Sequence, residues 1–287
     1  IYTLLTSKDQ KKLKNINLFT IKRLINSFNI DNEKFVNNKY SANFIVSFNK
    51  KNTLNYFENQ NIFPSIPKKI NLLLIPIVIS KDTDDIKYFS NNEIYINWNN
   101  KKENHHLINY ILPEDEIEDR ELISKNYSDI ESFDFKDIIN KYNLKNYIVL
   151  IISENNNTYN ALSKIYINDN YEIINLHYDK LNSSNNIDII NNLKTNYEDI
   201  WKKHNIINTS IKLPITVTIN SKQNAQIDLF ENFADNFDLI SSYKIIMFNN
   251  NFIFYKIVFN GSPKIFFDEA KKQGLLFKKD NQNWALQ

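Results

Sequence analysis

Three aspartates, Asp82, Asp84 and Asp85, stand directly behind the apolar run INLLLIPIVIS. If that run is a buried strand, the carboxylates lie at its carboxyl end, where α/β sheets commonly build their sites. Grouped carboxylates there supply the hard oxygen donors that magnesium prefers, and would suit a metal-assisted hydrolase. A haloacid-type phosphatase sets its nucleophilic aspartate tight against the strand, with a threonine two residues after the second aspartate. The spacing here differs, and the plainer reading is an exposed acidic turn.

A second carboxylate cluster, PEDEIEDRE, runs from Pro113 to Glu121 with Arg120 inside it. It lacks the glycine turn and spaced ligands of a calcium loop. Acidic residues just after a proline suit a helix N-terminus, whose dipole they offset, so a solvated loop or helix start is expected. His105 and His106 are adjacent and so do not share a helix face. His177 falls in an expected strand and His204 on the buried edge of an expected helix, positions of packed or surface histidines.

Glycine occurs only at 261 and 274, so a nucleophile elbow, a Walker loop and a dinucleotide fingerprint are all excluded. The two glycines flank SPKIFFDEAKKQ. Ser262 fits an N-cap, Pro263 the first helical position, and Gly274 a left-handed C-cap, while Lys271 and Lys272 offset the dipole at the other end. A proline at the first turn deletes an N–H that a phosphate would use, which favours a capped helix over an anion cradle. Phe252, Phe254 and Tyr255 resemble a base-stacking row, but the basic glycine motif of such sheets is missing and core packing accounts for them.

The chain has no cysteine, which removes disulfides and thiolate chemistry. Its net charge of +2, with acids and bases interspersed, gives no footprint for nucleic acid and no polybasic membrane patch. No apolar run approaches the ~18 residues of a membrane-spanning helix, so a soluble chain is expected. Asn, Ile and Lys are overused, as AT-rich codons would dictate, yet the apolar positions remain strongly periodic.

These elements divide into three expected segments. Residues 1–67 read as helix–hairpin–helix: Leu18, Ile21, Leu24, Ile25 and Phe28 form a helical stripe, and Phe44, Val46 and Phe48 alternate behind the turn residues Asn37-Asn38. A lone hairpin with two helices buries little, so an opening strand is expected upstream of Ile1. The sequence opens at Ile1 without an initiator Met or a signal-peptide pattern, as a removed leader or a trimmed sequence would leave it. Residues 68–208 read as an α/β domain containing the run from Ile70 to Ser80, with Pro76 expected at a strand exit or on an outer strand. An antiparallel pair turning at Asp169-Asn170 and a long amphipathic helix through Ile190, Leu193, Tyr197, Ile200 and Trp201 follow. Residues 209–287 carry the β-α-β-β-α-β order of a ferredoxin-like domain. The expected class is therefore mixed α+β and α/β.

Several stretches carry a family likeness. YSANFIVSFNKKNTLNYFENQNIFP, then INLLLIPIVI, Trp98 and INYILPEDEIED, resemble the bacterial envelope-associated family called domain of unknown function 2066. DFKDIINKYNLKNYIVLII is similar to that family's helix, tyrosine and R-Y-G-A-D-x-V-L-V strand, with Tyr142 at the aromatic position and Asn143 replacing glycine. The stretch from SSYKIIMF to NWAL is similar to its closing strand–strand–glycine–helix–strand–strand module. The likeness spans most of the chain, although the family's leader and first strand are absent and several of its glycines are Asn or Lys. It implies a periplasmic or secreted protein, the cytoplasm being the alternative location, and it brings no catalytic residue.

The expected function is a non-catalytic envelope module that binds protein partners and needs no cofactor, with neither nucleic acid nor a membrane span involved. Two alternatives stand beside it: a metal-assisted hydrolase using Asp82 and Asp84, with Asp85 as a further ligand, and a small-ligand-binding module.

Overall fold

The computed structural model describes residues 2–83, 85–101, 103–155, 158–179, 186–207, 212–280 and 283–287. Asp84 lies outside the described residues. The class is mixed α and β, as the sequence indicates.

The chain begins with helices α1 (Ser7–Leu13) and α2 (Leu18–Leu24), the second capped by Asn17, whose side chain accepts from Thr20 N at 2.8 Å. The helical stripe expected through Phe28 stops at Leu24. Ile25 instead opens strand β1 (Ile25–Val36), which pairs antiparallel with β2 (Lys39–Phe48). Cross-strand pairing places Phe28 opposite Val46 and Ile30 opposite Phe44, and this competes successfully with helical spacing. Asn37 and Asn38 hold φ of 51° and 56° at the turn, as their side chains permit. Helix α3 (Lys50–Asn59) follows, capped by Asn49.

Strand β3 (Ile70–Ser80) is flanked by β6 (Tyr147–Glu154) on one side and, on the other, by β4 (Asp85–Tyr88) and β5 (Ile108–Ile111). β5 and β6 run parallel to β3, and β4 runs antiparallel to it. Helices α4 (Glu93–Asn97), α5 (Ile117–Lys125) and α6 (Lys136–Lys141) lie in the connections. The sheet continues from β6 to β7 (Thr158–Ile167) and β8 (Asn170–Asp179), and helix α7 (Asn186–His204) follows. The β7–β8 turn falls at Asn168-Asp169, with φ of 50° and 61°, one residue earlier than expected.

Both faces of the sheet are covered at β3 and β6, which is why these strands read as unbroken apolar runs. Leu72, Leu74, Ile148 and Leu150 pack with Trp98 and with Ile190, Leu193, Tyr197 and Trp201 of α7. Leu73, Ile75, Val149 and Ile151 pack on the opposite side with Ile123 of α5 and Ile138 of α6.

Pro76 stands in the middle of this central strand, not at its exit. β5 covers residues Ile70 to Leu73 of that edge and β4 covers Ile77 to Ser80, which leaves Pro76 between them. Its carbonyl accepts from Asn92 Nδ2 at 3.0 Å. Because N and C=O of one strand residue point to the same side, the missing N–H faces the gap rather than β6.

The last part holds β9 (Leu213–Asn220), α8 (Asn224–Asn236), β10 (Ile240–Phe248), β11 (Phe252–Phe259), α9 (Pro263–Lys272), β12 (Phe277–Asp280) and β13 (Asn283–Leu286). The sheet order is β10-β11-β9-β13-β12. The split β-α-β core is present, but the chain's last strand inserts beside β9, parallel to it, and β12 forms the edge. Side chains agree with this placing: Lys278, Lys279 and Asp280 of β12 are exposed and only Phe277 packs inward, whereas the Trp284 ring of β13 lies 3.9 Å from the Phe267 ring.

Helix α9 follows its sequence signals. Ser262 accepts from Ile265 N, Pro263 takes the first turn, and Gly274 has a φ of 82°. Gly261 answers a different demand, since a Cβ there would lie 2.7 Å from the ring of Phe259, which is fully buried.

Two compact units result: residues 67–205 with the first seven residues, and residues Lys8–Ile66 with Ile206–Gln287. The first segment therefore folds with the last. Lys50 Nζ donates to Phe237 O at 2.6 Å, and Lys212 pairs with Glu58 at 2.8 Å.

Candidate functional site

Asp82 is exposed on the turn behind β3 and Asp85 is exposed at the first position of β4. Among the described residues, no group of three or more His, Asp or Glu side chains is arranged to hold a metal ion.

The Glu114–Glu121 cluster begins α5, and it is more structured than a solvated loop. Arg120 grips Asp115 with two hydrogen bonds of 2.5 Å, which hold that carboxyl down at about 2. Lys141 reaches Glu116 at 2.5 Å and the buried Asp119 at 2.7 Å. These carboxylates are occupied in fastening α5 to α6.

His106 is half-buried, and burial, followed by the charges of His105, Lys202 and Lys194, pushes it down to about 4. His177 hydrogen-bonds Asn160, and His204 Nε2 lies 3.0 Å from Glu172. Tyr255 is buried with its hydroxyl on Glu231 at 2.7 Å, whereas Phe252 is exposed at the hairpin tip. These rings do not form one stacking row.

Sequence reasoning passed over a buried ladder on α7. Lys194, Glu198 and Lys202 recur every four residues and are all buried. Glu198 accepts from Leu107 N and Ile108 N at 2.8 Å each, Lys194 donates to Trp98 O and Lys101 O, and Lys202 donates to Tyr2 O. Backbone groups that helices and strands leave unpaired thus find charged partners. The i, i+4 spacing was the available signal, but it also describes a solvent-facing charge stripe.

Two features could meet a ligand. The first is a cleft of about 240 Å³ at the carboxyl ends of β3 and β6. Lys87, Glu93, Glu154, Tyr159 and Asn186 line it. Lys87 lies 3.8 Å from Glu154, and Asn186 hydrogen-bonds Glu93. Its volume is below the ~300–1,000 Å³ of usual small-molecule sites.

The second is the β1–β2 hairpin. Opposed residues of an antiparallel pair share a face, so Tyr40, Ala42, Phe44, Val46 and Phe48 of β2 lie with Phe35, Ile30, Phe28 and Ile25 of β1. Every one of these is apolar. The other face carries Ser27, Asn29, Asp31, Lys34, Lys39, Ser41, Asn43 and Ser47, with Val36 and Ile45 among them. Alternation of this kind marks a face suited to burial. Yet Phe28, Phe35, Tyr40 and Phe44 are 60%, 71%, 58% and 61% exposed.

No family model matches the chain, and no curated protein or solved structure is found similar to it. Among the described residues, no helix is long and apolar enough to cross a membrane.

Proposed function

We propose that the protein is a non-catalytic binding or assembly module of the bacterial cell envelope, periplasmic or secreted, that works through protein–protein contacts. The open apolar face of the β1–β2 hairpin carries this reading. A contiguous patch of this kind is what an interface core consists of, and its aromatic content is that of interface hot spots. The resemblance of its strand and helix motifs to an envelope-associated family supports the location.

A photo-crosslinking residue at position 44, irradiated in cells, is expected to yield a covalent protein adduct in the envelope fraction. Absence of any protein adduct would overturn the binding role, and recovery of the chain in the cytosol would overturn the location.

The cleft beside Lys87 and Glu154 favours a second reading, the binding of a small polar ligand. Unchanged thermal stability across a panel of small polar metabolites would remove it.

A further inference from the structure

Among the described residues the apolar face of the β1–β2 hairpin is left open, so what covers that face is a definite chemical question. We propose that its occupant is a second copy of the same chain, two hairpins packing apolar face to apolar face about a twofold axis. This rests on the protein-contact reading above and names the partner for it.

Area is the first argument. An aromatic side chain carries about 150–250 Å² of surface. Phe28, Phe35, Tyr40, Phe44 and Phe48 expose between 38% and 71% of theirs, and Ile30 and Val46 expose 44% and 38%. The open apolar surface is therefore roughly 600–800 Å² per copy. Two such faces would remove about 1,200–1,600 Å² from water, inside the range of about 1,200–2,000 Å² for stable specific interfaces.

Charge is the second. The hairpin's ionisable side chains are Asp31, Glu33, Lys34 and Lys39, two of each sign, so it carries no field that would select an oppositely charged partner or repel a copy. Asp31, Lys34 and Lys39 fall at the bulge and on the polar face, and Glu33 lies beside the Tyr40 hydroxyl at the turn end of the apolar rows, so Phe28, Ile30, Phe44, Val46 and Phe48 face outward with no charge among them.

Shape is the third. Two sheet layers pack about 10 Å apart through interdigitating side chains, and a twofold axis makes one self-complementary patch serve both partners. Lipid fits less well. Among the described residues β1 and β2 pair only with each other, and a two-stranded piece in hydrocarbon would leave both outer rows of backbone N–H and C=O groups unsatisfied.

The test uses the full chain in sedimentation equilibrium and the crosslinker at position 44. The expected mass is twice the 34.1 kDa of one chain. Phe44→Asp should weaken association by about 30-fold or more while the circular dichroism spectrum stays unchanged, since Phe44 is exposed in the single chain. Ile45→Asp, on the opposite face, should leave the dimer intact. The adduct at position 44 should be a covalent dimer of this chain. A monomer at all concentrations, or equal loss from Ile45→Asp and Phe44→Asp, overturns the proposal. An adduct with a different protein overturns it and leaves the protein-contact reading standing. An adduct with lipid, or none, overturns both.

Discussion

Two hairpins in this molecule have nearly the same length and turn chemistry, and opposite surroundings. β7–β8 turns through Asn168-Asp169 and β1–β2 through Asn37-Asn38, each pair in the left-handed region. In β7, alternate residues Ala161, Ser163, Ile165 and Ile167 are buried because α7 covers that face, and the Ser163 and Tyr197 hydroxyls meet at 2.7 Å. β1–β2 has the same alternation, and among the described residues no helix covers it. Alternation alone therefore does not make a core. It makes a face that needs a layer, which the chain supplies in one case and, on our proposal, a second copy supplies in the other.

The comparison breaks most visibly at α7. Trp201→Ala removes a buried ring and its 2.7 Å hydrogen bond to Lys68 O, and should cost about 3–5 kcal/mol in chemical denaturation. A change below about 1 kcal/mol would mean that the helix is not what secures the β7–β8 sheet.

Acid should act on the covered side next. The folded protein holds His106 neutral down to about 4, whereas an unfolded imidazole protonates near 6.5. Between these values the unfolded state binds the extra proton, so stability is full above about pH 6.5 and falls as pH drops toward 4. The loss should be about 1 kcal/mol, since the half-buried ring remains partly screened by water. His106→Gln should flatten that part of the pH profile.

The smallest effect is expected at the uncovered hairpin. Phe44→Ala should shift the stability of dilute, monomeric protein by no more than about 0.5 kcal/mol, because its ring contacts little within the chain. A loss comparable to Trp201→Ala would show that the hairpin already has a layer of its own.

How much of this the sequence disclosed depends on how local each cause is. The caps of α9, the Asn37-Asn38 turn and the buried character of β3 were legible because neighbouring residues decide them. The end of α2 was not. Leu24, Ile25 and Phe28 satisfy helical spacing, and only the distant partners Phe48 and Val46, opposite Ile25 and Phe28, turn the stretch into a strand. Pro76 was misplaced because the gap between β4 and β5 is a property of the sheet. Gly261 answers the Phe259 ring, which no turn rule includes. For the candidate site, the alternating Phe44, Val46 and Phe48 were legible as a face. That the described residues leave it exposed was not, since exposure depends on what the rest of the fold leaves undone.

Pro76 has a further consequence for motion. A strand edge is usually a continuous zipper, and fraying at one end spreads along it. Here the proline cuts one edge of β3 into two separate fastenings, one holding β5 and the other β4. Either can loosen without unlatching the other, while the uninterrupted partner β6 keeps the strand in place. The β4 edge beside the small cleft can thus loosen by itself while β6 holds Leu73 to Ser80 of β3 in place.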